Sequence, residues 1–365
     1  MRPFGFVIHP VDPREDIARK YPRLAGVLPE SLLALFSRFW PPVVLSHVTG
    51  VRSESTGEMI EGWLVACPLT AHQILQLPLP TVYRKIVRAA RRAEAIGARI
   101  IGLGAFTSAV GDGGVTVAER LRVPVTTGNA LTVALTVDAV RETTSLRALP
   151  LSEATGAVVG ATGTIGSACA EMLAPELGRI VLVGRSASRL GSLRARLESL
   201  GARRVRVTTS VVDIREADVV VSATNADHPV IYPAFVKRNA IVCDVAVPSD
   251  VAPTVKQRCE GVMVIKAGMV RVPGEVDFGF DFGLPSGIAY ACMAETMILA
   301  FEDGVSEDWV GKRIHVEEID QMANWAGKHG FRLAGVESSG SEELREGGPF
   351  DAPSSGGMRR SYVPS

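Results

Sequence analysis

The middle of the chain alternates short valine- and isoleucine-rich runs with helical segments, and this pattern constrains the fold more than any other feature. Between about residues 151 and 270 the runs are TGAVVGATG, RIVLVGR, VRVTT, ADVVVSAT, AIVCDVAV and VMVIK, and helices are predicted over GSACAEMLAPEL and RLGSLRARLESL. Continuous apolar strands separated by helices are typical of a parallel sheet that is buried on both faces. The pattern therefore predicts a doubly wound α/β domain.

A glycine-rich motif follows the first of these strands and opens a helix. The first glycine of such a motif permits a tight turn, the second lets the backbone approach a pyrophosphate, and the third lets the helix pack on the strand. Amides at the helix N-terminus then bind the phosphate. The motif predicts a Rossmann domain, with a tight turn lacking any ligand as the alternative. The predicted dinucleotide contacts are Gly160, Ala161, Thr162, Gly163, Thr164, Ile165 and Gly166.

The end of the second strand distinguishes between the two nicotinamide dinucleotides. An NAD enzyme commonly carries Asp or Glu there, whereas this chain has Arg185, Ser186 and Arg189. Two arginines and a serine suit a 2′-phosphate, so we expect NADPH; the alternative is that the arginines only cover the helix surface. Residues that end two later strands are expected near the nicotinamide, namely Ser222, Ala223, Thr224 and Ala246.

The regions flanking this domain complete the predicted α/β fold class. Residues 1–150 alternate β-like runs (VVLSHVTGV, WLVACPL, ARIIGLGAF) with helices over 81–96 and 130–147, which predicts an N-terminal α/β domain. We expect this domain to bind the substrate and its carrier. The Rossmann domain with its parallel sheet follows at 151–270. A C-terminal helical segment is predicted at 271–338, with helices over 286–301 and 316–329, the second ending at Gly330. The Gly-, Ser- and Pro-rich tail at 339–365 is expected to be disordered.

Charge and cysteine content exclude several classes of partner. The 39 basic and 39 acidic side chains cancel, so no overall field attracts nucleic acid or an anionic membrane, and a charged partner needs a local patch. We recognise no secretory signal and no membrane span. Five cysteines without a CxxC pair indicate reduced thiols, and hence a cytoplasmic protein, better than disulfides or a zinc site.

Familiar dehydrogenase signatures are missing, which turns attention to the cysteines. The chain lacks the Tyr-x-x-x-Lys pair of short-chain dehydrogenases, the Asn-Val-Thr-x-Pro-x-Lys segment of shikimate dehydrogenases and the ligand clusters of zinc alcohol dehydrogenases. Cys169 and Cys243 have the surroundings of small buried hydrophobes, and Cys67 and Cys259 have no evident role. Cys292 is expected about two turns into a helix that points toward the nicotinamide, where it is either a nucleophile or a core residue.

Five segments resemble the long-chain fatty acyl-[acyl-carrier-protein] reductases known from cyanobacterial alkane biosynthesis. LGAFTS, TTGNALTVA, VVGATGTIGSA, YACMAETMILAFE and KHGFRLA recur there in this order and spacing. FGFVIHP and SESTGEMIEGWLVACPL are also similar, so the resemblance covers roughly residues 4 to 335. Two departures are the Ala130-Leu131-Thr132 run, where the cyanobacterial proteins have Thr-His-Thr, and the AVGDGG that follows Phe-Thr-Ser.

The resemblance implies a thioester reductase. Cys292 matches the family's cysteine and is implied to form an acyl-enzyme from acyl carrier protein or acyl-coenzyme A thioesters, which NADPH then reduces to a fatty aldehyde. Thr107, Ser108 and Asn129 are candidates for stabilising the oxyanion, or alternatively serve as turn and helix-cap residues. Two other functions stay open: an NADP-dependent dehydrogenase, similar to shikimate dehydrogenase or glutamyl-tRNA reductase, that reduces a small carbonyl substrate without a covalent step, and a non-catalytic NADPH-binding sensor.

An arginine-rich helix provides a candidate surface for an acidic carrier protein. In TVYRKIVRAARRAEAIG, basic side chains recur on adjacent turns, so we expect a docking face whose electrostatic attraction weakens with salt. The alternative is an ordinary solvated helix face. The residues of this predicted face are Arg84, Lys85, Arg88, Arg91 and Arg92.

Overall fold

Two six-stranded sheets organise the chain in the computed structural model, which describes residues 2–10, 38–281, 283–302, 305, 307 and 309–334. The predicted disordered tail at 339–365 lies outside the described residues, as does the segment 11–37 of the N-terminal domain. The structure also contains a small three-stranded antiparallel sheet. Parallel strands flanked by helices in both large sheets confirm the predicted α/β fold class.

The first sheet is mixed. Its strands are β1 (Phe4–Ile8), β2 (Val43–Arg52), β3 (Met59–Ala66), β4 (Ile100–Leu103), β5 (Val125–Thr126) and β13 (Gly274–Asp277). In the order β13-β2-β3-β1-β4-β5, the strands from β3 to β5 are parallel, and β2 runs antiparallel to both of its neighbours. The helices of this part are α1 (Ala71–Gln76), α2 (Leu79–Ala95), α3 (Phe106–Ala109), α4 (Val115–Ala118) and α5 (Asn129–Leu146).

The second sheet is entirely parallel. Its strands are β6 (Thr155–Val159), β7 (Arg179–Val183), β8 (Val205–Thr208), β9 (Val219–Ser222), β10 (Ile241–Asp244) and β11 (Met263–Lys266), in the order β11-β10-β9-β6-β7-β8. The crossovers contain α6 (Thr164–Leu173), α7 (Ala187–Ser199), α8 (Thr254–Arg258) and two short 3₁₀ helices. The order reverses between β6 and β9, as in a Rossmann domain, so a ligand crevice is expected at the end of β6.

The C-terminal part contains strands as well as helices. Strands β12 (Met269–Arg271), β14 (Ile288–Tyr290) and β15 (Arg332–Leu333) form the small sheet, with helices α9 (Ala291–Phe301) and α10 (Val316–His329). The helix predicted over 286–301 begins only at Ala291, because the preceding residues pair with β12. Gly330 ends α10 in the left-handed conformation, as predicted.

This C-terminal part returns to the N-terminal sheet. Strand β13 pairs with β2, and α9 packs on β1 and β4. The continuous apolar core also includes α5, which contacts α6, α9, α10 and β10 and is buried on nearly all sides. Residues 271–334 thus share a core with both large sheets, while the domain boundaries at 150, 270 and 338 stay predictions.

Candidate active site

The carboxyl ends of parallel strands from both sheets meet at one cavity of about 1380 Å³. Loops after β1 and β4 line it from the first sheet, and loops after β6, β7, β9 and β10 line it from the second. Such strand ends are where open α/β sheets bind ligands. Single-ligand pockets usually measure about 300–1,000 Å³, so this cavity has room for a dinucleotide together with a second ligand.

The glycine motif forms a backbone cradle on one wall of this cavity. Gly160 has a φ of +82°, and a Cβ built on it would lie 2.3 Å from the Ala223 carbonyl oxygen. A Cβ at Gly166 would lie 2.4 Å from the Gly160 carbonyl oxygen. Gly163 caps α6 without any side chain, so the first amides of the helix open toward the cavity. Side chains at Gly160 and Gly166 would collide with these backbone oxygens, so the glycines let α6 begin close to the end of β6. The amides exposed there fit the pyrophosphate of a dinucleotide.

Most predicted cofactor residues line the cavity. These are Gly160, Thr162, Gly163, Thr164, Ile165, Arg185, Arg189, Ala223, Thr224 and Ala246. Those that do not line it are Ala161, Gly166, Ser186 and Ser222. Ser186 instead caps α7, where its hydroxyl accepts the Arg189 N–H at 3.4 Å. The Ser222 hydroxyl donates to the Asp250 carboxylate at 2.7 Å. These two hydroxyls therefore stabilise the loops and lie outside the ligand space.

Sequence reasoning missed Asp250. This fully buried carboxylate accepts the Ser222 hydroxyl, the Thr224 N–H at 2.9 Å and the Thr224 hydroxyl. Burial raises its pKa, while the three donors oppose that effect. Asp250 thus positions the loop after β9, on which the predicted nicotinamide neighbours lie.

Cys292 occupies the first turn of α9 and also lines the cavity. The prediction of two turns into the helix is wrong, because the residues before Ala291 form β14. The side chain is half-buried and faces the same cavity as the glycine cradle. Burial and then the Glu295 carboxylate raise the pKa of the Cys292 thiol to about 12, and the N–H groups of Met293 and Ala105 oppose this. Helix N-terminal amides are therefore available to the sulfur, although the free protein holds it as a thiol.

The other four cysteines lie elsewhere. Cys67, Cys169 and Cys243 are completely buried, and burial raises the pKa of each thiol. Cys259 is half-buried, with its sulfur 3.6 Å from the Pro233 carbonyl oxygen. None of the four lines the cavity, so Cys292 alone among the five cysteines can meet a ligand there.

The three predicted oxyanion residues separate into two groups. Ser108 and Asn129 line the cavity with Cys292. Thr107 does not: it is buried, and its hydroxyl donates to the Gly104 carbonyl at 2.7 Å, so it holds the loop and does not face a substrate. The Ser108 hydroxyl donates to Ala105 O at 2.7 Å. Asn129 donates one amide N–H to the Thr127 hydroxyl at 2.8 Å and keeps a second N–H.

The loop after β4 contains two features that the sequence prediction did not include. Ala105 has a φ of +47° and a ψ of −128°, a positive-φ conformation that is strained for a residue with a Cβ. Its N–H lowers the pKa of the Cys292 thiol, against the larger effect of burial. His9 holds this loop, because its Nε2 accepts the Phe106 N–H at 3.1 Å and its Nδ1 bonds to the Pro10 carbonyl at 2.9 Å. His9 directly follows the first parallel strand, so the strand-end rule applied to the glycine motif could have found it.

The arginine-rich helix corresponds to α2. Arg84, Arg88, Arg91 and Arg92 are exposed. Lys85 is not part of this surface: it is buried, its ammonium donates to the Trp40 carbonyl at 2.9 Å, and burial lowers its pKa. It lies on the same side of the helix as Ile86 and Ala89, which face the sheet. No helix in the described part of the chain combines the length and the apolar character that a membrane span requires.

The fold and the site place this chain among the Rossmann oxidoreductases. The Shikimate / quinate 5-dehydrogenase family profile matches residues 143–267, a range that contains all six strands of the second sheet. The long-chain acyl-[acyl-carrier-protein] reductase of Synechococcus elongatus is 28% identical, over 80% of this chain and 89% of that protein. This match confirms the resemblance seen in the sequence motifs.

Other likenesses are more partial. Aminotransferase PigE of a Serratia species is 27% identical over 92% of this chain, which spans 40% of that longer protein. Glutamyl-tRNA reductase from Methanopyrus kandleri is 25% identical, covering 50% of this chain and 46% of that one, with a TM-score of 0.29. A dipicolinate synthase from Bacillus halodurans is 12% identical, covering 52% of this chain and 61% of that one, with a TM-score of 0.32. TM-scores this low do not establish a shared overall fold.

Proposed function

We propose that this protein reduces long-chain fatty acyl thioesters to fatty aldehydes, with NADPH as the reductant and Cys292 as the nucleophile. The observation that carries the proposal is that a helix-N-terminal cysteine and a glycine cradle face one cavity. Similarity to a long-chain acyl-[acyl-carrier-protein] reductase supports the substrate class, with acyl carrier protein or coenzyme A as the thioester's carrier.

The residues of the Rossmann wall fit the reduced dinucleotide. The cradle at Gly160 and Gly163 would bind its pyrophosphate, and Gly166 would allow the close packing of α6 behind it. Arg185 and Arg189, which line the cavity after β7, would bind the 2′-phosphate. NADPH bound there would supply the hydride for reduction of the acyl group. The absence of an acidic residue at the end of β7 favours NADPH over NADH.

Cys292 would perform the covalent step. Its sulfur attacks the carbonyl carbon of the thioester, a new C–S bond forms, and the bond to the carrier sulfur breaks, with the thiol proton passing to the departing carrier thiolate. The Ala105 N–H and the second N–H of the Asn129 amide lie on the wall where the carbonyl oxygen would develop negative charge. The Ser108 hydroxyl would have to exchange its bond to the Ala105 carbonyl before it could donate to that oxygen. After reduction the Cys292 C–S bond breaks to release aldehyde. Overall, a thioester, NADPH and a proton give an aldehyde, a carrier thiol and NADP⁺.

The cavity also has an apolar region suited to an acyl chain. Strand ends of the first sheet contribute Phe6, Ile8, Val43 and Leu45 to its lining, and α3 contributes Phe106. Burial of an alkyl chain against such side chains is favourable by about 0.8 kcal/mol per CH₂. A long acyl group therefore matches this wall better than a small polar carbonyl compound does.

A second candidate is direct reduction of a small carbonyl compound without a covalent step. The match to the Shikimate / quinate 5-dehydrogenase family favours it, but that match ends at residue 267 and leaves out Cys292 and the first sheet. The third candidate is an NADPH-binding sensor without turnover. All three candidates predict binding of the dinucleotide. They differ in whether Cys292 becomes acylated and in whether NADPH is oxidised.

The exposed arginines of α2 are proposed to attract an acidic carrier protein. Arg84, Arg88, Arg91 and Arg92 form the docking face, and Lys85 is excluded because it is buried. Opposite charges would increase the rate of encounter more than the final affinity.

Intact-mass spectrometry after incubation with a hexadecanoyl carrier thioester, without NADPH, tests the covalent step. We expect an acyl adduct on Cys292, none in Cys292→Ala, and an unchanged adduct in Cys259→Ala, which removes the other half-buried thiol. Addition of NADPH should release aldehyde from the adduct. Substantial aldehyde formation by Cys292→Ala would favour direct reduction, and NADPH binding without oxidation on any thioester would favour the sensor.

A further inference from the structure

Glu295 lies one helical turn after Cys292 on α9 and is almost completely buried. It does not line the cavity. One of its carboxylate oxygens accepts the Thr126 hydroxyl, and the other accepts the Leu131 N–H at 2.8 Å. Both donors belong to the segment that leads from β5 into α5, so Glu295 connects the nucleophile's helix to that segment.

The start of α5 has no cap of its own. Its N-cap residue is Gly128, which has no side chain, and its first turn contains no acidic residue. Free N–H groups at a helix N-terminus require acceptors and favour a negative charge. Glu295, 164 residues away from Leu131 in the sequence, supplies that charge from the neighbouring helix.

The capped segment is the one that lies against Cys292. A Cβ built on Gly128 would be 2.1 Å from the Cys292 Cα, and Asn129, the next residue, lines the cavity. Helix α9 therefore contacts this segment at two places one turn apart, once through the backbone of Cys292 and once through the carboxylate of Glu295. A shift of the segment would move the Asn129 amide relative to the sulfur.

We propose that Glu295 is a positioning residue, whose carboxylate holds the Thr126–Leu131 segment against Cys292 in the geometry that acyl transfer requires. The proposal rests on the proposed function. Both observed bonds use the carboxylate as an acceptor, which is the role of the ionised form. Burial raises the pKa of Glu295 to about 7, and the N–H groups and hydroxyl of the segment oppose that rise.

The same carboxylate acts on the sulfur through its charge. The ionised Glu295 raises the pKa of the Cys292 thiol. A glutamine at position 295 would remove that charge and would also place an NH₂ group against one of the two donors. The two roles of Glu295 therefore change in opposite directions: the thiol ionises more easily while the segment loosens.

Three variants test this role. Glu295→Gln removes the charge. Thr126→Val leaves the carboxylate in place and removes one of its donors, together with the acceptor of the Gly128 N–H at 3.0 Å. Thr126→Ser retains the hydroxyl. Glu302→Gln is the matched control, because Glu302 ends the same helix away from the cavity and bonds to Lys328 and His329. The measurements are the rate of acyl-adduct formation from a hexadecanoyl carrier thioester and the pH dependence of Cys292 alkylation by iodoacetamide.

We expect Glu295→Gln and Thr126→Val to slow adduct formation by about 10- to 100-fold, the usual effect of misplacing reacting groups. Thr126→Ser and Glu302→Gln should remain near the wild-type rate. Alkylation of Cys292 should occur at lower pH in Glu295→Gln than in the wild type. Wild-type adduct rates in both Glu295→Gln and Thr126→Val would overturn the proposal. If the wild-type protein forms no adduct, the proposed function is refuted instead. The alkylation of Cys292 then tests Glu295 alone, and the same pH profile in Glu295→Gln and in the wild type would refute its role.

Discussion

Gly128 and Cys292 lie so close together that no side chain fits between them. A Cβ on Gly128 would stand 2.1 Å from the Cys292 Cα and 2.3 Å from its Cβ. The φ of Gly128 is +71°, a left-handed conformation that favours glycine on backbone grounds alone. The glycine of the TTGNALTVA segment therefore has a physical role, which is to let the start of α5 contact the nucleophile's helix.

Gly128→Ala should abolish acyl-adduct formation and lower stability. The added methyl group displaces Cys292 or the segment, and overpacking of this kind costs about 1–3 kcal/mol. Mass spectrometry of the adduct and thermal unfolding measure the two effects.

Gly191→Ala is the control, because its Cβ would meet no atom within 4 Å on the exposed helix α7. That change should leave adduct formation intact and stabilise by up to about 1 kcal/mol. An active Gly128→Ala protein would show that the close contact is dispensable.

The combined change Arg185→Gln and Arg189→Gln should remove the preference for NADPH over NADH. Two charged bonds to a 2′-phosphate are worth about 1.5–3 kcal/mol each. We expect the Kd for NADPH to rise by at least about 100-fold, while the Kd for NADH changes little. Titration calorimetry with both dinucleotides gives these values. Arg194→Gln, on the same helix but paired with Glu198, should bind both as the wild type does. A wild-type protein that binds NADH more tightly would contradict the cofactor assignment.

The Rossmann sheet could be predicted because its signal is local. Its four central strands are buried on both faces and appear as continuous apolar runs, and the glycine motif lies where the first strand meets its helix. The return of the C-terminal part to the first sheet had no such signal. Gly274 pairs with Val51, more than two hundred residues earlier, and nothing in either segment specifies that partner. The sequence prediction placed Cys292 too far into its helix for the same reason, because the pairing of β14 with β12 has no local signal in the sequence.

The sequence motifs also did not show which of their residues line the cavity and which only support the fold. Three segments of the family resemblance meet away from the site, where Glu302 bonds to Lys328 and His329, and Glu54 bonds to Arg332. Their similarity therefore reflects shared architecture as much as shared chemistry. Lys85 was wrongly assigned to the exposed face because helical spacing alone does not define where the burial boundary lies.

The buried His329 should make stability depend on pH. Its Nδ1 bonds to the Ser53 hydroxyl and its Nε2 to the Glu302 carboxylate, both at 2.8 Å. Burial lowers its pKa below the ordinary 6.5, and Glu302 opposes this. The unfolded chain therefore takes up a proton first as the pH falls. Stability should be complete above about pH 6.5 and decrease below it, by at most about 1.4 kcal/mol per pH unit.

Denaturant unfolding of wild type and His329→Gln at about pH 7.5 and about pH 5.5 measures this contribution, in the range where histidine titrates. The variant should be less stable at the higher pH and should lose less on acidification. The exposed His72, changed to Gln, is the control and should keep the wild-type difference between the two pH values. Equal pH dependence in wild type and His329→Gln would show that this histidine is not responsible.

Charge reversal on α2 should weaken recognition of an acidic carrier without affecting chemistry. Arg88 and Arg92 are exposed one turn apart, and electrostatic steering raises association rates by about 10-fold or more at low salt. Arg88→Glu with Arg92→Glu should therefore lower kcat/KM for acyl carrier substrates by about that factor and leave kcat unchanged. The loss should shrink at high salt, since the screening length falls from about 10 Å at 0.1 M to about 3 Å at 1 M.

Arg203→Glu with Arg204→Glu makes the same charge change on the Rossmann domain, where both residues are exposed, and should leave kcat/KM at the wild-type value. Equal losses in the two double variants would indicate a general charge effect, and no loss in either would remove α2 as the docking face.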